Sequence, residues 1–283
     1  IANVLKEKFN IDVPIQMLLE QQTSAAGSIA EFIAKTKANV FNSPDSVSSI
    51  TLARDSVLPD ELRASIVKAV EVAGDYKRKH KHVLLTGATG FLGAFLLDDI
   101  LKEDSRTITY CLVRGSNNEA AKERIKKKFE FYRIPWEKDY DERIKVYASD
   151  LLKSDFGLSK ETLKMLETTV DEIFHCAADL NALLPYEKLK TINVDSTIKL
   201  LEIASSDHLK VFHYISTIGV LPHSAQNPHE GTTCTPSEML PSSGYSQSKW
   251  VSEQLIKRAG SLGLPTTIHR PSSIMKRWIT YDQ

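Results

Sequence analysis

Three glycines spaced three apart in TGATGFLG, residues 86–93, stand between a short apolar run, HVLL, and a stretch of helical character, AFLLDDILKE. No other feature constrains the chain as strongly. A strand that turns on such glycines straight into a helix fixes a βα unit and leaves the helix N-terminus open to an anion. Gly87 permits the tight turn, Gly90 lets the backbone approach a pyrophosphate, and Gly93 lets the helix pack close to the sheet. The anion then meets unpaired N–H groups and the positive end of the helix dipole.

Beyond this unit, strand and helix trade places. TITYCLVRG reads as a strand, NEAAKERIKKKFEFY as a helix, RIKVYASD as a strand and SKETLKMLETT as a helix. VDEIFHCAA, NVDSTIKLLEIASS and KVFHYISTIGV continue as strand, helix and strand, and a helix starting at GYSQSKW leads to a last strand in TTIHRPSSI. This alternation predicts an α/β fold, a doubly wound parallel sheet with helices on both faces. Upstream, LPDELRASIVKAVEVAG is expected to be a helix, with Pro59 in its first turn and Gly74 near its end. Residues 38–56, rich in Ser, read as a linker, and residues 1–37 carry apolar positions at helical spacing, among them Leu5, Phe9, Leu18 and Phe32.

Charge excludes some functions. Lys plus Arg and Asp plus Glu both number 36, so nothing suggests electrostatic capture of nucleic acid or an anionic membrane. Apolar runs fall short of the roughly 18 residues that a membrane span needs. Cys111, Cys176 and Cys234 lie far apart without metal-ligand spacing and read as reduced thiols of a cytoplasmic protein. His213, His223 and His229 show no ligand spacing either, and no metal is implied.

The cofactor is read at the end of the second strand. An acidic residue there would bind a ribose 2′-OH, whereas a basic one would hold a 2′-phosphate. CLVRG offers Arg114, which favours NADPH over NADH. Arg124, ten residues on, either returns a second guanidinium to that phosphate or belongs to a solvated helix face with Lys126, Lys127 and Lys128. Around the glycine turn the candidate cofactor positions are Thr86, Gly87, Thr89, Gly90, Phe91, Leu92 and Gly93, with Leu151 and Ala177 at later strand ends. Asp150 either contacts the adenine side or caps the next helix.

Tyr245 and Lys249, four apart in GYSQSKW, share one helix face. A lysine near a phenol favours phenolate and lowers its pKa, which suits proton transfer near neutrality. Hydride delivery to a carbonyl builds charge on oxygen that a donor must meet. The assignment is Tyr245 as proton donor, Lys249 as its tuning cation and a contact to the nicotinamide ribose, and Thr217 in YISTIGV as the orienting hydroxyl. Strand alternation allows only one of the adjacent hydroxyls to face inward, which leaves Ser216 in reserve. His175 reads as a hydrogen-bonded structural histidine, and Asn193 as an amide bracing strands.

TGATGFLG, CLVRG, FHCAADLN, INVDST, YIST and YSQSK, in this order, resemble the extended short-chain dehydrogenase/reductase superfamily, which implies a Rossmann-like fold. More narrowly, TGATGFLGAFLLDDIL, NEAAKERI and ASDLLKSDFGLS look like terminal thioester reductase domains of nonribosomal peptide synthetases, polyketide hybrids, carboxylic acid reductases and aminoadipate reductases. This resemblance covers residues 82 to about 274. KFNIDVPIQMLLEQQTSAAGSIAEFIA is similar to the last helices of a phosphopantetheine carrier domain.

The resemblance implies that 57–283 is an NADPH-binding reductase domain. Its substrate is an acyl thioester delivered on the phosphopantetheine arm of the adjacent carrier, with upstream synthetase domains in cis. The product is an aldehyde, with reduction to the alcohol a second step known in the family. Two departures stand out: HRPSS has Ser272 where related domains often place glycine, and the smaller substrate-binding subdomain expected to follow has only MKRWITYDQ in its place. Rival expectations are a cyclising release without hydride transfer, opposed by the intact Thr217, Tyr245 and Lys249, a sugar-nucleotide dehydrogenase or epimerase, opposed by Arg114, and a nucleotide sensor.

Overall fold

The computed structural model describes residues 47–73, 81–222, 224–272 and 274. The carrier-like segment 1–37 lies outside the described residues. Two helices, α1 (Ser49–Asp55) and α2 (Asp60–Val72), precede the sheet. Strand β1 (His82–Thr86) runs into α3 (Phe91–Glu103), β2 (Ile108–Val113) into α4 (Asn118–Tyr132), and β3 (Ile144–Ala148) into α5 (Lys160–Thr169). Then follow β4 (Glu172–His175), α6 (Ser196–Ser205), β5 (Val211–Ile215), α7 (Gly244–Ser261) and β6 (Thr266–His269).

The strands stand in the order β3-β2-β1-β4-β5-β6, every pair parallel. Winding reverses between β1 and β4, and ligands collect at the carboxyl ends beside such a switch. Thr86 pairs with both Leu112 and His175, so β1, β2 and β4 end nearly level and their loops open on one edge. Neighbouring residues of β1 face different layers: Leu84 packs with α1, α2 and α5 to α7, while Leu85 packs with α3 and α4.

Local chemistry sets the helix bounds. Asn117 caps α4 by accepting from Ala120 N at 2.8 Å, and its buried residues Ala121, Ile125 and Phe129 recur every fourth position. The helix stops at Arg133, whose φ of 57° is left-handed. Among the described residues no helix is long and apolar enough to cross a membrane.

The structure changes two expectations. The described part of the supposed linker contains α1, capped by Ser48 and anchored by Leu52, which is fully buried. Burying one such leucine stabilises by about 2 kcal/mol and ties this short stretch to the domain. Asp55 at its end bonds Tyr186 and Lys190. The second change concerns NVDSTIKLLEIASS. Its helix begins earlier, at Tyr186–Lys190, and passes through a π-helical turn at Thr191–Asp195 before α6. In that turn the Asn193 carbonyl accepts from the Thr197 and Ser252 hydroxyls at 2.8 and 2.9 Å.

Candidate active site

The loops at the carboxyl edge enclose a cavity of about 560 Å³. The glycine turn forms one wall. Gly87 sits at φ 81°, and a Cβ on Gly93 would lie 2.1 Å from the Gly87 carbonyl oxygen. Helix α3 therefore starts hard against the turn, with no side chain capping its N-terminus and no acid in its first turn. Its first N–H groups face the cavity without an internal partner. This cradle fits a pyrophosphate.

Arg114 follows β2 at the cavity wall, and Arg124 reaches back from α4 to hydrogen-bond the Arg114 backbone carbonyl. Both guanidinium-bearing residues line the space, and Arg124 is exposed as well, so both alternatives for it stand. Lys128, one turn beyond Arg124, lines it too. Its i, i+4 spacing from Arg124 was the signal for it, hidden among three consecutive lysines. Asp150 lines the cavity and accepts from Leu152 N at 3.1 Å, a local turn rather than the cap of a long helix.

At the other end stands α7. Ser243 caps it by accepting from Ser246 N, so Tyr245 falls in the first turn and Lys249 one turn later. Both line the cavity. Lys249 is 1% exposed, and burial holds its pKa down at about 7. Among the described residues its ammonium makes no hydrogen bond or ion pair. It sits 3.9 Å from the ring centroid of Tyr214. A buried, unpaired cation facing a cavity fits the hydroxyls of a ribose.

The expected tuning of Tyr245 does not hold in this structure. Burial pushes the phenol above its ordinary value, and no charge opposes this. Lys249, held down at about 7, carries little charge at the higher pH where the phenol would ionise. A raised pKa keeps the phenol protonated, the form that a proton donor needs.

Ser216 and Thr217, between the end of β5 and a 3₁₀ turn at Ile218–Val220, both border the cavity, but the Ser216 hydroxyl itself is buried. Thr217 Oγ1 accepts from Gly219 N at 3.1 Å, leaving its own proton to donate. Ser216 is buried beside Glu253 without a hydrogen bond of ordinary geometry. The Glu253 carboxylate is taken by Arg270 through two bonds of 2.8 and 2.6 Å.

Thr86 does not line the cavity. Its hydroxyl is buried against His175 Nδ1 at 2.8 Å and accepts from Ala177 N, tying the ends of β1 and β4 together. His175, fully buried and pushed down to about 3, is neutral and structural. Asn193 braces a loop and a helix rather than strands: its amide bonds both the Asp179 N–H and carbonyl and donates to Ser248 Oγ, which bonds the Tyr245 carbonyl. The remaining candidates, Thr89, Phe91, Leu92, Leu151 and Ala177, line the cavity, as do Cys176 and Ser272. Among the described residues no cluster of three or more His, Cys, Asp or Glu side chains could hold a metal ion.

Residues 85–280 match the NAD-binding family described as Male sterility protein. The chain belongs to that family. Among relatives, the chain is 34% identical over 274 residues to one of the linear gramicidin synthase proteins of Brevibacillus parabrevis, covering 94% of this chain and 5% of that protein. Its fold is similar to the terminal R domain of the myxalamid PKS-NRPS pathway, with a TM-score of 0.71 and 35% identity over 79% of this chain and 56% of that one. It is also similar to the reductase (R) domain of a nonribosomal peptide synthetase from Mycobacterium tuberculosis, at a TM-score of 0.61 and 30% identity over 80% of this chain and 55% of that one. The chain thus spans little more than half the length of those R domains and a small part of the synthase. The Male sterility family is an NAD-binding one, and the glycine turn lies at the start of the matched residues.

Proposed function

We propose that this chain is the cofactor-binding and proton-donating part of an NADPH-dependent reductase that releases a carrier-bound acyl or peptidyl thioester as an aldehyde. Reduction of that aldehyde to the alcohol would repeat the same chemistry. One observation carries the reading: Tyr245, Lys249, Thr217 and Ser216 share a single cavity with the glycine cradle and Arg114. The reductase domain among its relatives supports the reaction class.

Bound NADPH supplies the hydride. The protein does the rest. The turn Gly87–Gly93 and the open end of α3 hold the pyrophosphate, and Arg114 with Arg124 holds the 2′-phosphate. Lys249, lacking any other anion or acceptor among the described residues, fixes the ribose next to the reacting carbonyl. Thr217 donates to the carbonyl oxygen, and Tyr245 delivers the proton that this oxygen takes up as charge develops there; the hemithioacetal so formed then gives up that proton as its C–S bond breaks, and aldehyde and the carrier's thiol leave. The thioester arrives on the phosphopantetheine arm of a carrier domain of the same synthetase, and the chain works in the cytoplasm.

The full-length protein, given NADPH and a pantetheine thioester, should consume NADPH in step with aldehyde or alcohol identified by mass. Product formed without NADPH oxidation would replace the reading with cyclising release. Arg114→Ala should weaken NADPH binding about tenfold to a hundredfold and NADH binding little, since it removes a charge-assisted contact worth roughly 1.5–3 kcal/mol. Paired titrations with the two cofactors check this, and equal losses would remove the 2′-phosphate role.

A further inference from the structure

We propose that Tyr214 is a positioning residue of the site, its ring face carrying the Lys249 ammonium and aiming it into the cavity. The inference rests on the reading of Lys249 as the cation that contacts the cofactor. Tyr214 stands on β5 two residues before Ser216, fully buried, with its ring centroid 3.9 Å from Lys249 Nζ. An ammonium over an aromatic face is attracted by the negative face of the ring, and the attraction grows when water is excluded. Both residues are excluded from water here.

Every other group facing Lys249 is engaged or uncharged. On its own helix, Glu253 is bound by Arg270 and lies 3.4 Å from Lys257, while the Tyr245 phenol is raised by burial. From β4 and its loop, His175 is neutral and burial pushes the Cys176 thiol up to about 12. The Tyr214 hydroxyl lies beside Ser252 and Thr197 without a hydrogen bond of ordinary geometry, so the ring and not the hydroxyl carries the contact. Lys249 titrates at about 7, and an activity that needs the ammonium is lost as pH rises through that value. Weakening the ring face lowers the pKa further and moves this basic limb toward acid.

The test keeps the shape of the side chain and changes its electrons. In the full-length protein, Tyr214→Phe is compared with variants bearing mono-, di- and trifluorinated phenylalanine at the same position, each fluorine drawing density from the ring face. The pH profile of kcat/KM is recorded, with thermal denaturation as a check on folding. Tyr214→Phe should keep the basic limb of the parent. The trifluorinated variant should fall about tenfold at about pH 8 and stay within about twofold at about pH 6, a one-unit displacement of the limb. A limb that does not move along the fluorine series overturns the proposal, because a packing role would not respond to ring electrons. Lys249→Met separates the two claims. If it abolishes the limb while fluorination leaves it fixed, only the role of Tyr214 falls. If it retains the limb of the parent, the reading of Lys249 falls and the proposal with it.

Discussion

Tyr245→Phe should lower kcat for thioester reduction by about 10²–10⁴-fold while leaving NADPH affinity within a few-fold. The phenol lines the cavity in the first turn of α7, and burial keeps it protonated. Removing only its hydroxyl leaves the ring, the helix cap at Ser243 and the glycine cradle untouched, so the loss is confined to the transition state, where the carbonyl oxygen lacks its proton donor. Thr217 still offers one hydrogen bond, which sets the residual rate. Steady-state kinetics and NADPH titration on the same preparation check both halves. A variant that turns over at the parent rate would transfer the proton to another group.

Gly93→Ala should lose stability and cofactor together. The new methyl would stand 2.1 Å from the Gly87 carbonyl oxygen and 2.7 Å from its carbon, both main-chain atoms that cannot swing aside as a side-chain tip can. Either α3 backs away from β1 or the turn opens. The first undoes packing by Ala94 and Leu97 in the α3–α4 layer, and the second deforms the cradle. Overpacking of this kind costs about 3 kcal/mol, which lowers Tm by about 5 °C in a chain of this size. NADPH affinity should fall by at least about tenfold. An unchanged melting curve with normal titration would show that the helix moves freely along the strand.

The fold was legible because its signals are local. HVLL before glycine and AFLLDDILKE after it determine a βα unit whatever surrounds them, and each later strand repeats the pattern. The cavity was legible for a related reason: strand-end residues such as Arg114, Ala177 and Thr217 gather at one edge once the sheet is parallel. What escaped depends on contacts distant in sequence. Alternation separates Ser216 from Thr217, but the neighbour of the buried Ser216 hydroxyl, Glu253, lies on another element and leaves no local signal. Thr86 sits at a cofactor-like position, yet its hydroxyl is drawn to His175 across 89 residues of sequence. The i, i+4 pairing of Tyr245 and Lys249 was visible, but the claim of Tyr214 on the ammonium was not, since only the three-dimensional register of β5 against α7 brings them together. Leu52 gave no periodic signal in a serine-rich stretch, and its burial follows from the helices around it.

The wide turn at Thr191–Asp195 constrains the length of the chain. A residue deleted there would let the coil close to its regular pitch and remove the widened turn that presents the Asn193 carbonyl to both Thr197 and Ser252. The loop after β4, tied to Asn193 at Asp179, would then be dragged away from Ser248 and from the backbone of Tyr245. Gaps and insertions should therefore be rare between Tyr186 and Thr197 in proteins that keep this site, even where the side chains drift.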